Sequence, residues 1–401
     1  MITKAERLAM LPPYPFALWS AHVAQVERRG VDVIRLDIGN PDMAPPEPVV
    51  AALCASARDP GHHGYGGYRG LATLRRAMAD YYGRRFGVAL DPDAEVLPLI
   101  GSKEGIVNLA LACLDPGDVV LVPDPGYAPY AMGAMLAGAE VVTFPLLAEH
   151  DFLPVLDEIP QAIAARAKLI WLNYPNNPTG GVADSSFLAR AVAFARDHGM
   201  LIAYDAPYCD VGFDGYAAPS ILTIDGAMDV AVEFNSLSKT YNMAGWRIGM
   251  AVGNREAIAA LAQVKSNVDS GLFHPLQEAA TCALATEPAW IEARNAIYRE
   301  RLQILVDGLR DVGSDASLPK GALYLWTTVP EAFGMLSSVG RSEARGGESA
   351  TDLARLWLEQ AGVAVAPGVF FGPSGAGYIR ISATAPTERI REAMARIRAI
   401  A

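Results

Sequence analysis

The stretch "VAVEFNSLSKTYNMAGWRIGMAVG" (230–253) holds two short apolar runs, each suited to a buried strand, with Lys239 between them. Lys239 stands among the hydroxyls of Ser236, Ser238 and Thr240, and Arg247 follows between Gly245 and Gly249. Runs of the same kind recur upstream in "DVVLVPD" (118–124), "AEVVTFPL" (139–146), "KLIWLNYP" (168–175) and "MLIAYDAPY" (200–208). Strands that are apolar on both faces belong to a mostly parallel sheet covered by helices. Helical patterns lie between them, such as "SSFLARAVAFARDHG" (185–199), closed by Gly199 where a left-handed cap is expected. The middle of the chain therefore reads as an α/β layer structure with a mostly parallel central sheet flanked by helices.

Past residue 285 the texture changes. A helical pattern from about Pro288 to Leu309 leads into "GALYLWTTV", "GVAVAPG" and "GYIRISA", and the chain closes on the helix-like "PTERIREAMARIRAI". This predicts a second, smaller α+β unit. The polar, glycine-rich "GMLSSVGRSEARGGES" (334–349) reads as a surface loop of that unit, and no internal repeat is present.

Composition excludes several functions. The chain has 401 residues, 51% of them hydrophobic, and a net charge of -11 from 44 acidic and 33 basic side chains. Lys and Arg are nowhere concentrated as a nucleic-acid binder requires. Cys54, Cys113, Cys209 and Cys282 lie far apart without a C-x-x-C pair, which suggests neither a disulfide framework nor a zinc site and fits a reducing cytoplasm. No run reaches the ~18 apolar residues of a membrane span, and "MITKAERLAMLPPYPF" carries no long apolar core. A cytoplasmic, enzyme-sized globular protein is expected.

Polar residues gather where the predicted strands end. "PNNPTGG" after "KLIWLNY" holds Asn177 in a proline-bounded turn; Asp205 ends "MLIAYD", with Tyr208 three residues on; Ser236, Ser238, Lys239 and Arg247 follow "VAVEF". Carboxyl ends of strands in an open α/β sheet line the ligand crevice, so these residues can converge. Taken singly, Asn177 reads as a turn former, Asp205 as a helix cap and Tyr208 as a core aromatic. Upstream, "IGSKEGIVNLALACL" (100–114) turns from a strand into a helix whose free amides, with Ser102 and Lys103, form an anion site. Capping by Ser102 is the plainer reading of that stretch. Together the groups suit one planar, phosphorylated, aromatic ligand. Ser236 and Lys239 also form a Ser-x-x-Lys pair, the arrangement of an acyl-transfer nucleophile. That chemistry wants its serine at a helix start, whereas this segment reads as a strand-to-loop exit, and no S-D-N or K-T-G element accompanies it.

In order, "LDIGNPD", "YGGYRG", "GSKEG", "PDPGYAPY", "NYPNNPTG", "DAPY", "SLSKTYNMAGWRIG" and "YIRIS" resemble the fold-type-I pyridoxal-phosphate enzymes, and among them the class I/II aminotransferases. The branch holding diaminopimelate and alanine aminotransferases is the most similar. The resemblance implies pyridoxal 5'-phosphate, bound by Lys239 as an internal aldimine. Asp205 would pair with the ring nitrogen, Tyr208 and Asn177 would bond the phenolic oxygen, and Tyr127 would stack on the ring. Ser102, Lys103, Ser236 and Arg247 would hold the phosphate. Tyr65 would reach the phosphate of a neighbouring subunit, making a homodimer with shared active sites. Arg380 would grip the substrate α-carboxylate with help from the backbone of Gly39; on an exposed strand it would instead pair with an acid. The resemblance divides the chain into an N-terminal arm with part of the small domain (1–44), a large cofactor-binding domain (45–285) and a small C-terminal domain (286–401).

The implied activity moves an amino group between an L-amino acid and a 2-oxo acid, with glutamate and 2-oxoglutarate as one pair. The same fold hosts lyases, decarboxylases and racemases. Aminotransferase-like domains also occur in transcription regulators, but only about forty residues precede "IGNPD", too few and too neutral for a helix-turn-helix. Within the family, the residue three after the intersubunit tyrosine is a glutamate in plant-type diaminopimelate aminotransferases. Here it is Tyr68, which offers no counter-charge to a distal ammonium. With Tyr14 and Phe16 as aromatic wall, a neutral donor such as alanine or a larger apolar residue is expected, LL-diaminopimelate being the alternative.

Overall fold

The structure, a computed structural model, describes residues 3–334 and 346–401. Seven strands form the main sheet in the order 96–99, 249–253, 231–236, 201–205, 167–173, 119–124 and 140–145. Strand Gly249–Gly253 runs antiparallel to both neighbours; the other pairs are parallel. The apolar runs serve both faces through the two-residue period of a strand. Val120, Val122, Leu169 and Trp171 pack with Ile106, Leu109, Ile258 and Leu261 of the helices Ser102–Cys113 and Arg255–Val268. Their neighbours Val119, Leu121, Ile170 and Leu172 face the other way, onto Phe187 and Leu188 of Ser185–His198. That helix is capped by Asp184 and ends at Gly199 in the left-handed conformation, φ 63°. Strand Glu140–Pro145 departs from the double-faced expectation. It is one edge of the sheet, and only Phe144 of its six residues is buried.

A three-stranded antiparallel sheet sets Tyr378–Ser382 between Ala366–Pro367 and Tyr324–Thr328, and Ile34–Arg35 pairs in parallel with Val363–Ala364. The core behind them joins Trp19, Val23 and Leu36 to residues of the helices Pro288–Arg310 and Thr387–Arg398. The amino-terminal segment thus shares a core with the carboxyl-terminal one. Of the stretch expected as a surface loop, 335–345 lie outside the described residues, and Gly346–Leu356 is helical.

Two local readings change. Ser102 does not cap its helix: Gly101 holds the N-cap position at φ 75°, with no side-chain cap bond, and Ser102 is the first helical residue. A Cβ at Gly101 would overlap the Arg247 guanidinium, so glycine keeps that approach open. Lys239 lies not on a loop exit but on a short helix, Leu237–Thr240, with Ser236 Oγ accepting from the Ser238 amide at 3.3 Å. Ser236 therefore does stand at a helix start. The case against a serine–lysine nucleophile rests instead on contact, since the Lys239 amine donates to the Gly39 carbonyl and not to Ser236.

Candidate active site

Strands 167–173, 201–205 and 231–236 end side by side, with Asn173 beside Asp205 and Asp205 beside Phe234. Their carboxyl ends open onto a cavity of about 330 Å³. Tyr14, Gly39, Ser102, Lys103, Tyr127, Asn177, Asp205, Tyr208, Ser236, Lys239, Arg247 and Arg380 all line it. Tyr65 and Tyr68 do not; they are 91% and 56% exposed.

The Lys239 amine is held at a depressed value of about 8, first by burial and then by the charges of Arg380 and Arg247. A buried amine that gives up its proton at about 8 rather than ~10.4 is a better nucleophile and base at physiological pH than an exposed lysine. Across the cavity, Asp205 Oδ2 accepts from the Tyr130 hydroxyl at 2.6 Å, and Asn173 Nδ2 holds the Asp205 carbonyl at 2.7 Å. Asp205 Oδ1 is buried and has no partner among the described residues. Burial pushes this carboxyl up to about 7 against the Tyr130 hydrogen bond. An orphaned carboxylate oxygen at the cavity wall is the complement of a cationic ring N–H, so the residues present fit pyridoxal 5'-phosphate.

One end of the cavity is an anion cradle. Ser102, Lys103, Ser236, Ser238 and Arg247 line it, and Arg247 donates to the Ala244 carbonyl at 2.7 Å and to Ser238 Oγ at 3.4 Å. Arg247 adopts a left-handed backbone, φ 58°, uncommon for a non-glycine residue. Lys103 Nζ lies over the Tyr14 ring, 4.7 Å from its centre, and burial followed by the nearby Arg247 lowers its amine. Among the lining residues Lys103, Lys239, Arg247 and Arg380 face a single carboxylate, Asp205. That surplus suits a phosphorylated ligand and a carboxylate substrate.

Arg380 is buried, and its partners are not acids. Nη1 donates to Asn177 Oδ1 at 2.7 Å, Nη2 to the Asp37 carbonyl at 2.6 Å, and Nε has no partner among the described residues. The guanidinium sits among the rings of Tyr324 (4.2 Å), Phe371 (4.7 Å) and Phe16 (5.4 Å). The plain reading of Arg380 as half of an exposed ion pair is thereby excluded. Asn177 is itself fixed by Asn173 Oδ1, which accepts from the Asn177 backbone N–H at 2.8 Å.

Tyr130, Asn173, Tyr324 and Phe371 also line the cavity and were not expected. Tyr130 had a signal, three residues after Tyr127 in "PDPGYAPY". Tyr324 had none, because its role depends on Arg380 in the neighbouring strand. A larger crevice, about 800 Å³, backs onto Cys209 and Tyr241. No lysine lines it, and its arginines are engaged, Arg85 with Asp210, Arg299 with Asp214 and Arg84 with the Leu284 carbonyl. The smaller cavity carries the chemistry.

A lysine amine that shares a cavity with an orphaned carboxylate and an anion cradle suits an aldehyde cofactor with a phosphate arm, and the sequence agrees. Residues 31–397 match the family described as Aminotransferase class I and II, so the chain belongs to the class I and II aminotransferases. More particularly, it is 47% identical over 393 residues to an LL-diaminopimelate aminotransferase of Dehalococcoides mccartyi, covering 98% of this chain and 97% of that one. Among solved structures it resembles substrate-bound BacF of Bacillus subtilis, with TM-score 0.92 and 36% identity over 100% and 98% of the two chains. A probable N-succinyldiaminopimelate aminotransferase from Thermus thermophilus follows at TM-score 0.87 and 36% identity over 96% and 100%. The chain is a pyridoxal-5'-phosphate-dependent aminotransferase of fold type I, acting between an amino acid and a 2-oxo acid, as its sequence implies. Among the described residues no helix is long and apolar enough to cross a membrane, and no acid, histidine or cysteine cluster suits a metal.

Proposed function

We propose that the chain works as a cytoplasmic homodimer that holds pyridoxal 5'-phosphate through a Schiff base at Lys239 and moves the amino group of LL-diaminopimelate to 2-oxoglutarate. One observation carries the site reading: the unpartnered Asp205 Oδ1 shares a cavity with the Lys239 amine, between the cradle at Arg247 and the grip at Arg380. When bound, the cofactor supplies a sink for the electron pair left as the α-proton departs. Asp205 keeps the ring nitrogen protonated. Asn177 Oδ1 is engaged by Arg380, which leaves its amide nitrogen to donate, beside Tyr208, to the phenolic oxygen. Burial raises the Tyr208 phenol far above its usual value, so it is a neutral donor. Tyr127 covers a ring face; Ser102, Lys103, Ser236 and Arg247 take the phosphate. Arg380 orients the substrate carboxylate beside the Gly39 backbone, and the freed Lys239 amine moves the α-proton.

Tyr65 and Tyr68 serve the neighbouring subunit on this reading, supported by their exposure on a fastened segment. Gln277 donates to the carbonyls of Gly66 (3.1 Å) and Leu272 (2.8 Å) and accepts from the Leu71 amide at 2.7 Å. The division into 1–44, 45–285 and 286–401 is supported by a core that joins the amino-terminal segment to residues of the last hundred, to which the 45–285 segment adds Tyr208, Val211 and Phe213.

LL-diaminopimelate as donor is supported by the names of the relatives. A neutral donor is the second reading, favoured by a cavity that offers no carboxylate besides Asp205 and whose walls include Tyr14, Phe16 and Phe371. Measured with 2-oxoglutarate, kcat/KM for LL-diaminopimelate is expected to exceed that for alanine, methionine and phenylalanine. A higher value for methionine or phenylalanine would replace the first reading with the second.

A further inference from the structure

We infer that Tyr324 is a positioning residue linking the carboxylate grip to the cofactor's phenolic-oxygen donor, so that filling Arg380 weakens the hydrogen bond that Tyr208 gives. The inference rests on the proposed roles of Tyr208 and Arg380. It assigns a role to a residue for which neither sequence pattern nor family motif supplied one.

Three contacts carry it. Tyr324 opens the strand Tyr324–Thr328, paired so that Tyr324 faces Ser382 and Trp326 faces Arg380. Alternation then sets Tyr324 diagonally beside Arg380 on one face, and the guanidinium lies 4.2 Å from its ring centre, nearer than any other ring. At its other end the Tyr324 hydroxyl is 2.7 Å from the Tyr208 hydroxyl, with both side chains buried. The third contact explains a glycine. A Cβ at Gly39 would overlap the Tyr324 hydroxyl, and the Gly39 carbonyl accepts from Lys239.

Proton accounting fixes the direction of the chain. Each phenol has one proton, so if Tyr208 donates to the cofactor oxygen, the bond between the tyrosines is made by the Tyr324 hydroxyl donating to Tyr208. Donation into Tyr208 strengthens its own outward bond, because hydrogen bonds in series polarise one another. A cation on the Tyr324 ring draws electron density from the phenol and makes it a stronger donor. When a substrate carboxylate neutralises Arg380, that pull falls and the bond from Tyr208 weakens with it. The cofactor oxygen then holds a proton more readily. This route runs beside the direct Arg380–Asn177 contact, through a different side chain.

The test removes one hydroxyl and reads the bound cofactor. Holoenzyme is titrated with pH by its visible absorbance, with and without 3-phenylpropionate, a carboxylate that cannot transaminate. Tyr324→Phe is expected to raise the midpoint by about 0.5 to 1 pH unit, the worth of one hydrogen bond. It should also shrink the upward shift that 3-phenylpropionate produces in the wild type. Gly39→Ala, whose methyl takes the space of the Tyr324 hydroxyl, should move the midpoint the same way and serves if Tyr324→Phe fails to fold. Midpoints unchanged in both variants overturn the inference, even if cofactor dissociation quickens, since that alone marks packing. A wild type without any pH-dependent visible band would instead sink the reading of Lys239 and Tyr208 on which it stands.

Discussion

At the scale of single residues, the decisive fact about Lys239 is its surroundings. An exposed lysine titrates near ~10.4, where at neutral pH almost none is a free amine. Burial, Arg380 and Arg247 bring this one to about 8. The rate at which cofactor-free protein captures pyridoxal 5'-phosphate should therefore rise with pH and level off past about 8; stopped-flow absorbance with a half-point near ~10 would contradict the assignment. Lys239→Ala should lose more than the roughly 10²- to 10⁴-fold of a general acid/base, because the covalent anchor goes too. Lys239 was the first residue that sequence suggested, and its neighbours in the chain were enough to find it. Its depressed amine was not legible, since burial, the larger cause, and Arg380 on a distant strand are both set by the tertiary fold.

At the scale of elements, Arg247 and Arg380 divide the cavity by where their segments enter it. Arg247 leaves the turn after the lysine's helix and reaches the amino end of helix Ser102–Cys113, where Gly101 makes room. Arg247→Ala should weaken cofactor retention and recover activity in excess cofactor, whereas Asp205→Ala should not recover; the opposite pattern would reverse the two roles. Arg380 projects from the central strand of the three-stranded sheet into aromatic walls. Truncating a buried charged hydrogen-bonding partner costs about 2 to 5 kcal/mol, so Arg380→Ala should lower kcat/KM for donor and acceptor alike by roughly two to three orders of magnitude. Loss on one substrate only would argue against a shared carboxylate grip. Arg380→Lys should not restore it, because one ammonium cannot supply the planar fork.

At the scale of the whole molecule, two buried carboxyls set a pH dependence. Burial raises both Asp205 and Glu233 to about 7, Glu233 despite accepting from Tyr82, Ser220 and the Ile221 amide. Their folded values lie above the unfolded ones, so the folded chain binds more protons. The resulting stability is fully present below about 4 and is lost as pH rises through about 7. Thermal unfolding of cofactor-free protein should therefore show stability falling by up to roughly 8 kcal/mol over that window, from the two carboxyls together. Asp205→Asn should flatten the decline; an unaltered slope would mean that Asp205 is ionised throughout. The proposed dimer has its own test. Lys239→Ala and Tyr65→Ala, each impaired alone, should regain activity on mixing and subunit exchange, because one site of the mixed dimer is intact. No recovery would place Tyr65 outside the neighbour's site.

By itself the sequence determined the layer architecture, the family and fourteen of the residues that line the cavity. Those features are written in local pattern: two-residue alternation in buried strands, a glycine turn before a helix, a lysine among hydroxyls. Only the tertiary structure decided what those residues touch. Arg380 and Asn177 meet across 203 positions of chain, and Lys239 meets Gly39 across 200. The same folding made Glu140–Pro145 an edge strand, gave the cap before Ser102 to Gly101, and brought Tyr324 between Arg380 and Tyr208. The physical reason is range. Backbone propensity and hydrophobic period act over a few residues, whereas burial, charge and hydrogen-bond partnership depend on whatever packing brings within a few ångströms.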